Sequence, residues 1–157
     1  MDKVNNKEYG SRNEMELVFD ALSANEGFAR VAVASFIAGL NPTLEEISDV
    51  KTAVSEAVTN CIIHGYEGKP GKIWIRCMIE RDLLHIEIED KGAGIADVAR
   101  AMEPLFTTRP ELDRSGMGFS FMEAFMDDLE VESVPAQGTV VRMKKKLGCE
   151  PLIEQEE

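Results

Sequence analysis

Basic residues are scarce in this chain: 17 lysines and arginines stand against 29 aspartates and glutamates, a formal net charge of −12 at pH 7. Binding along a phosphate backbone needs a basic patch, and the only dense one is Lys144–Lys146, so direct contact with nucleic acid is excluded and a protein or nucleotide partner is expected. Cysteine is sparse too. Cys61, Cys77 and Cys149 form an odd set with neither CxxC nor histidine-rich spacing, which excludes a disulfide framework and a zinc site and leaves free thiols. No apolar run approaches the roughly 18 residues of a membrane span. The segment Met1–Lys7 has no apolar signal core, so a cytoplasmic protein without a membrane partner is expected. No internal repeat is present.

What remains is a chain of 157 residues, 44% hydrophobic, long enough for one domain with a real core. The patterning predicts a flexible arm over 1–13, a domain over 14–147 and a flexible acidic tail over 148–157. Alternation predicts strands at Glu14–Asp20, Lys72–Glu80, Leu83–Asp90, Glu130–Val134 and Gly138–Lys146. Ser23-Ala-Asn-Glu26 and Thr43-Leu-Glu-Glu46 have the form of capping boxes opening two helices, the first ending near Gly39–Asn41 and the second at Gly65. A short helix over Ala96–Met102 and another from Gly116 to about Met126 complete the set. Helices early and antiparallel strands late predict an α+β fold.

The second helix carries the chemistry. Glu56, Asn60 and His64 stand four residues apart in an otherwise apolar segment, so a carboxylate, an amide and an imidazole share one face. Leu44, Ile47, Val50, Val54, Val58 and Cys61 fall on the opposite face, expected to meet the core. Alone, the polar stripe suits a solvated surface equally well. Downstream, Asp90-Lys-Gly-Ala-Gly94 puts a carboxylate at a strand end before two glycines, and Ser115-Gly-Met-Gly118 puts two glycines before a helix. Such glycines let a flat ring approach the backbone, and a helix start suits phosphate. Each motif alone equally describes a tight turn or the start of a helix. In this order, Glu-x-x-x-Asn, Asp-x-Gly-x-Gly and Gly-x-Gly resemble the N, G1 and G2 boxes of the GHKL ATPase and kinase superfamily.

That resemblance implies ATP or ADP as ligand, with Asp90 receiving the adenine amino group and Gly92 and Gly94 beside it. Asn60 offers a neutral oxygen to Mg²⁺, which keeps several waters and takes few protein ligands. Glu56, one turn earlier, is placed to draw the proton from an attacking hydroxyl or water. His64 is either a hydrogen-bonded histidine at a helix end or a contact to phosphate. The stretch Ile95–Ser115 breaks the pattern, and Arg109 and Arg114 within it suit either a lid closing over phosphates or contact with an acidic partner.

Three phrases narrow the likeness: Ser55-Glu-Ala-Val-Thr-Asn60 with Ile63-His-Gly-Tyr66, Pro104-Leu-Phe-Thr-Thr-Arg-Pro-Glu111, and Arg114-Ser-Gly-Met-Gly-Phe119. They resemble the anti-sigma factor serine kinases, the sporulation branch above all, from about Asn13 to Lys145. The resemblance implies a two-layer α/β sandwich of the Bergerat type, with a mixed, mostly antiparallel sheet and helices on one face. It adds Thr107, Thr108, Arg114, Ser115, Gly116, Met117, Gly118 and Thr139 to the nucleotide site. It implies a homodimer that sequesters a sigma factor of the sigma-F type and, with Mg²⁺, phosphorylates a serine of a STAS-type anti-anti-sigma protein. A general-stress anti-sigma kinase and a nucleotide-gated binding module with little catalysis are the alternatives. A histidine kinase catalytic domain shares the boxes, but no dimerisation helices with a phosphoacceptor histidine are present. Arg30, the only cation between Ser23 and Leu40, is the candidate sigma contact on the first helix.

Overall fold

In the computed structural model, which describes residues 12–103 and 118–148, the alternating segments form a five-stranded sheet in the order β1-β2-β3-β5-β4. The strands are β1 (Arg12–Asp20), β2 (Lys72–Glu80), β3 (Leu83–Asp90), β4 (Asp128–Val134) and β5 (Gly138–Lys146). The sheet, expected to be mixed and mostly antiparallel, is antiparallel at all four described pairings. The turns at Arg81–Asp82 and Pro135–Gln137 are too short for any parallel crossover. Arg12 and Asn13, expected in the arm, already belong to β1, where they pair with Glu80 and Ile79.

One face of the sheet is apolar. Ile73, Ile75, Cys77 and Ile79 of β2, Leu84, Ile86 and Ile88 of β3, and Val141 and Met143 of β5 are buried there, under α1 (Ala24–Ile37), α2 (Leu44–Asn60) and α4 (Gly118–Phe125). α2 packs between α1 and α4. It buries Val50, Ala53, Val54, Ala57 and Val58, while α1 contributes Ala29, Val33 and Ile37. The opposite face carries charge. Arg76 reaches Glu16 at 2.9 Å, Glu87 at 2.8 Å and Glu89 at 3.0 Å, and Arg142 reaches Glu87 at 3.1 Å and Glu132 at 2.8 Å. The chain of pairs thus spans all five strands. Exposed pairs of this kind each contribute little to stability, but opposite charges at matched positions favour this register over a slipped one. His85 lies on this outer face, as expected.

Cys61 and Cys77 are free and buried, and burial pushes the Cys77 thiol up to about 12. No helix among the described residues is long and apolar enough to cross a membrane.

Two local expectations fail. Leu44, assigned to the core face, is 86% exposed, because as the first residue of α2 it lies beyond the layer the sheet covers. Ser23 makes no capping bond: its own φ/ψ is helical, at −54°/−32°, whereas a cap residue must be extended to aim its oxygen at the free N–H groups. Asn25 instead ties the helix start to β1, donating from Nδ2 to the Asp20 carbonyl at 2.9 Å, and Glu26 accepts from the Ser55 hydroxyl. The box at Thr43 does form: Glu46 N–H donates to Thr43 Oγ1 at 3.1 Å and Thr43 N–H to Glu46 Oε1 at 2.8 Å. Thr43→Ala should therefore lower the unfolding free energy by about 1 kcal/mol, and Ser23→Ala should change it by less than about 0.5 kcal/mol. Chemical denaturation of the two variants measures the contrast; equal losses would contradict it.

Candidate functional site

α2 ends at Asn60, and the next five residues, Cys61–Gly65, make a π turn in which Tyr66 N–H donates to the Cys61 carbonyl at 2.9 Å. The regular four-residue stripe expected from Glu56 through His64 is therefore interrupted. A π turn widens the helix, so His64 is rotated away from the line through Glu56 and Asn60, yet it lines the same cavity as Asn60. Immediately after the π turn, Tyr66 braces the sheet: its hydroxyl donates to the Lys72 carbonyl at the start of β2 and accepts from Lys91 N–H just past the end of β3.

Asp90, the last residue of β3, is 4% exposed. Its Oδ1 accepts from Gly92 N–H at 2.9 Å, and the Cys61 thiol and the Thr139 backbone stand beside the carboxylate. Burial nevertheless holds its pKa above the ordinary carboxylate value, these three groups opposing the shift and Glu89 adding to it. Close approach explains the glycines. A methyl group at Gly92 would stand 2.0 Å from the Gly65 carbonyl oxygen, and one at Gly65 would stand 2.9 Å from the Asp90 carboxylate. Ala93 N–H donates to the Gly65 carbonyl and Ala136 N–H to the Ala93 carbonyl, both at 2.7 Å. Gly94, at φ +72°, turns the chain against the β4–β5 turn, after which Ile95 N–H donates to Ser133 Oγ at 2.7 Å. That hydroxyl also bonds the Thr139 side chain at 2.8 Å.

Above this floor lies a cavity of about 420 Å³ lined by Asn60, Cys61, His64, Asp90, Gly94, Gly118 and Thr139, with Arg100 on its rim. A methyl group at Gly118 would lie 3.1 Å and 3.2 Å from the two atoms of the Asn60 amide and 3.4 Å from Glu56 Oε2. The start of α4 thus faces the Asn60 amide and the Glu56 carboxylate together. Among the described residues no group of three His, Cys, Asp or Glu could hold a metal. Gly92 shapes the floor without lining the cavity. Thr107, Thr108, Arg109, Arg114, Ser115, Gly116 and Met117 lie outside the described residues. Cys61 and Arg100, which no motif marked for the site, also line the cavity. Cys61, expected on the core face, is buried in the core at 3% exposure and also borders the cavity. Arg100 lies in the stretch already taken for a lid, where its charge was a visible signal.

Residues 19–145 match the model of the histidine kinase-like ATPase domain. The Thermoanaerobacter pseudethanolicus anti-sigma F factor is 59% identical over 138 residues, covering 88% of this chain and 96% of that protein. The chain belongs to the anti-sigma F factor family. The factor of Caldanaerobacter subterraneus is 61% identical over 87% of this chain and 95% of its own, and that of Bacillus subtilis 56% over 87% and 94%. The fold is likewise that of a solved Mycobacterium tuberculosis protein with RsbU and RsbW domains, at a TM-score of 0.63 and 19% identity over 86% of this chain; the match spans 32% of that longer chain. The chain thus carries an ATPase-like domain, which implies nucleotide binding.

The raised pKa of Asp90 makes a further prediction. A buried acid whose folded pKa exceeds its unfolded one destabilises the fold once the unfolded chain ionises more readily; the deficit is absent below the unfolded value, grows as pH rises through the window between the two, and is constant above it. Asp90→Asn keeps an acceptor for Gly92 N–H without the charge. The nucleotide-free variant should therefore melt at or above the wild-type temperature at pH 7, and the gap should shrink toward pH 4. A gap that widens on acidification would contradict this.

Proposed function

We propose that this chain is a cytoplasmic anti-sigma factor of the sporulation type that works as a homodimer, inhibits its sigma factor, and inactivates a STAS-type antagonist by phosphorylating one of its serines with ATP. The observation that supports it most is the convergence of Glu56 and Asn60 on the first residue of α4, beside a cavity floored by a buried carboxylate. Family membership supports the same reading. In it the nucleotide domain spans about residues 14–147.

Asp90 accepts the adenine amino group, and Gly92 and Gly94 keep the floor flat enough for the ring. The N–H groups at the start of α4 face the phosphates. Asn60 offers an amide oxygen beside the start of α4 and would hold Mg²⁺ there; when bound, the ion neutralises phosphate charge. Glu56 takes the proton of the substrate serine as its oxygen bonds the γ-phosphorus and the bond from that phosphorus to the β-phosphate oxygen breaks, with ADP leaving. Thr139 and His64 border the same nucleotide.

Partner binding falls to α1. Phe28 and Val31 on it are 54% and 59% exposed, and between them Arg30 reaches Glu26 at 3.5 Å while its buried Nε finds no acceptor among the described residues. The Arg30 side chain is 41% exposed, and a sigma-factor carboxylate would pair with its guanidinium.

Asn60→Ala should abolish Mg²⁺-dependent transfer and weaken ATP more than adenosine, as read by labelled-phosphate transfer and calorimetry; wild-type turnover would sink the metal assignment. Glu56→Gln should bind ATP normally while kcat falls about 10²–10⁴-fold, and an unchanged rate would favour a nucleotide-gated binding module over a kinase using this base. Arg30→Ala should weaken sigma binding at least about tenfold, the loss expected for a hydrogen-bonded charge, without moving ATP affinity. Unchanged sigma affinity would remove α1 from the interface.

A further inference from the structure

We infer that Ser133 is a positioning residue for base recognition: its oxygen accepts the hydrogen bond of the Thr139 hydroxyl, so that Thr139 offers the cavity an acceptor beside Asp90. The inference deepens the adenine-site reading of the cavity and rests on it. Register supplies the first observation. Asp90 pairs with Thr139 and Thr139 with Ser133, so the three form one row across β3, β5 and β4, and side chains directly opposite in antiparallel strands share a face. Asp90 and Thr139 are buried, at 4% and 8% exposure, and both line the cavity. Ser133 stands one strand farther out, behind Thr139.

The protons supply the second observation. A serine hydroxyl has one proton to give and two lone pairs, and Ser133 Oγ has three polar neighbours. Ile95 N–H, at 2.7 Å, can only donate. The Gly138 carbonyl, at 3.0 Å, can only accept, so it takes the Ser133 proton. All three contacts are then hydrogen bonds only if the remaining neighbour, Thr139 Oγ1 at 2.8 Å, donates. With its own proton so engaged, the Thr139 oxygen has only lone pairs left for a ligand. An ionised Asp90 likewise only accepts, and two acceptors side by side suit the amino group at the 6-position of adenine better than the oxygen that hypoxanthine carries there. The row is braced from the loop after Asp90: Gly94, at φ +72°, packs against the Val134 carbonyl, and Ala136 N–H donates to the Ala93 carbonyl at 2.7 Å. Without the Ser133 hydroxyl, Thr139 is released to turn its O–H into the cavity and donate to a base that accepts at its 6-position.

Full-length protein, titrated calorimetrically with ADP and with IDP, tests this. Wild type should prefer ADP. Ser133→Ala should lower the ratio of ADP to IDP affinity about three- to tenfold, the size of one neutral hydrogen bond, and Ser133→Thr, which keeps the hydroxyl, should retain the wild-type ratio. Ser133→Val, which suits a strand and lacks the hydroxyl, should behave as Ala does and covers the case of an Ala variant that fails to fold. In a Thr139→Val background Ser133→Ala should leave the ratio unchanged, because the hydroxyl it would release is gone. Equal losses for both nucleotides in Ser133→Ala would reduce Ser133 to a structural contact and overturn the inference, as would a shift of the same size in the Thr139→Val background. A wild type that binds both nucleotides equally would sink the adenine reading itself, whereas a preference kept intact in Ser133→Ala and Ser133→Val sinks only the role given to Ser133.

Discussion

A carboxylate buried at the end of the central strand is the constraint around which the rest of the molecule is arranged. Asp90 is 4% exposed, and a buried ionisable group is tolerated only where donors meet it. Gly92, from the following loop, donates to it, and Cys61 from the π turn after α2 and Thr139 from β5, both distant in sequence, are brought beside it. The close approaches follow from that convergence. Gly65, Gly92 and Gly138 sit where a side chain would collide with the Asp90 carboxylate, the Gly65 carbonyl or the Asp90 carbonyl.

α2 does two jobs with two faces. Its apolar face, from Val50 to Val58, is buried against the sheet and its neighbouring helices, and this burial supplies the stabilisation that offsets the cost of placing polar groups on the other face. Glu56 and Asn60 project from the helix near its end, where α4 closes against them. The site therefore lies on rigid elements at one edge of the layer, and the loop after Asp90 is stitched to the β4–β5 turn through Ala136, Ser133 and Thr139.

The two faces of the sheet divide the work in the same manner. The inner face is apolar and carries the helices, while the outer face is held by arginines bridging glutamates from strand to strand. Since any such pair contributes little by itself, the outer network serves register more than stability, and register decides which side of β3 Asp90 faces.

Much of this was legible in the amino-acid order. Alternation over Lys72–Glu80 and Leu83–Asp90 marked both strands and their inward residues, because side-chain period follows from strand geometry alone; Thr43 and Glu46 announced a helix start because a capping box closes within four residues. Glu56, Asn60, Asp90, Gly92 and Gly94 were recognisable as a set because each lies in a short motif. What local pattern could not reveal depended on distant partners. Ser23 has the right spacing for a cap, but docking of the chain from β1 into α1 held it helical and gave Asn25 the work. Leu44 fits the apolar period yet lies beyond the edge of the sheet. The π turn at Cys61–Gly65, the placement of β5 between β3 and β4, and the turn of Cys61 from core residue to neighbour of Asp90 were decided only by tertiary packing, where contacts between elements outweigh the weak preferences of any single segment.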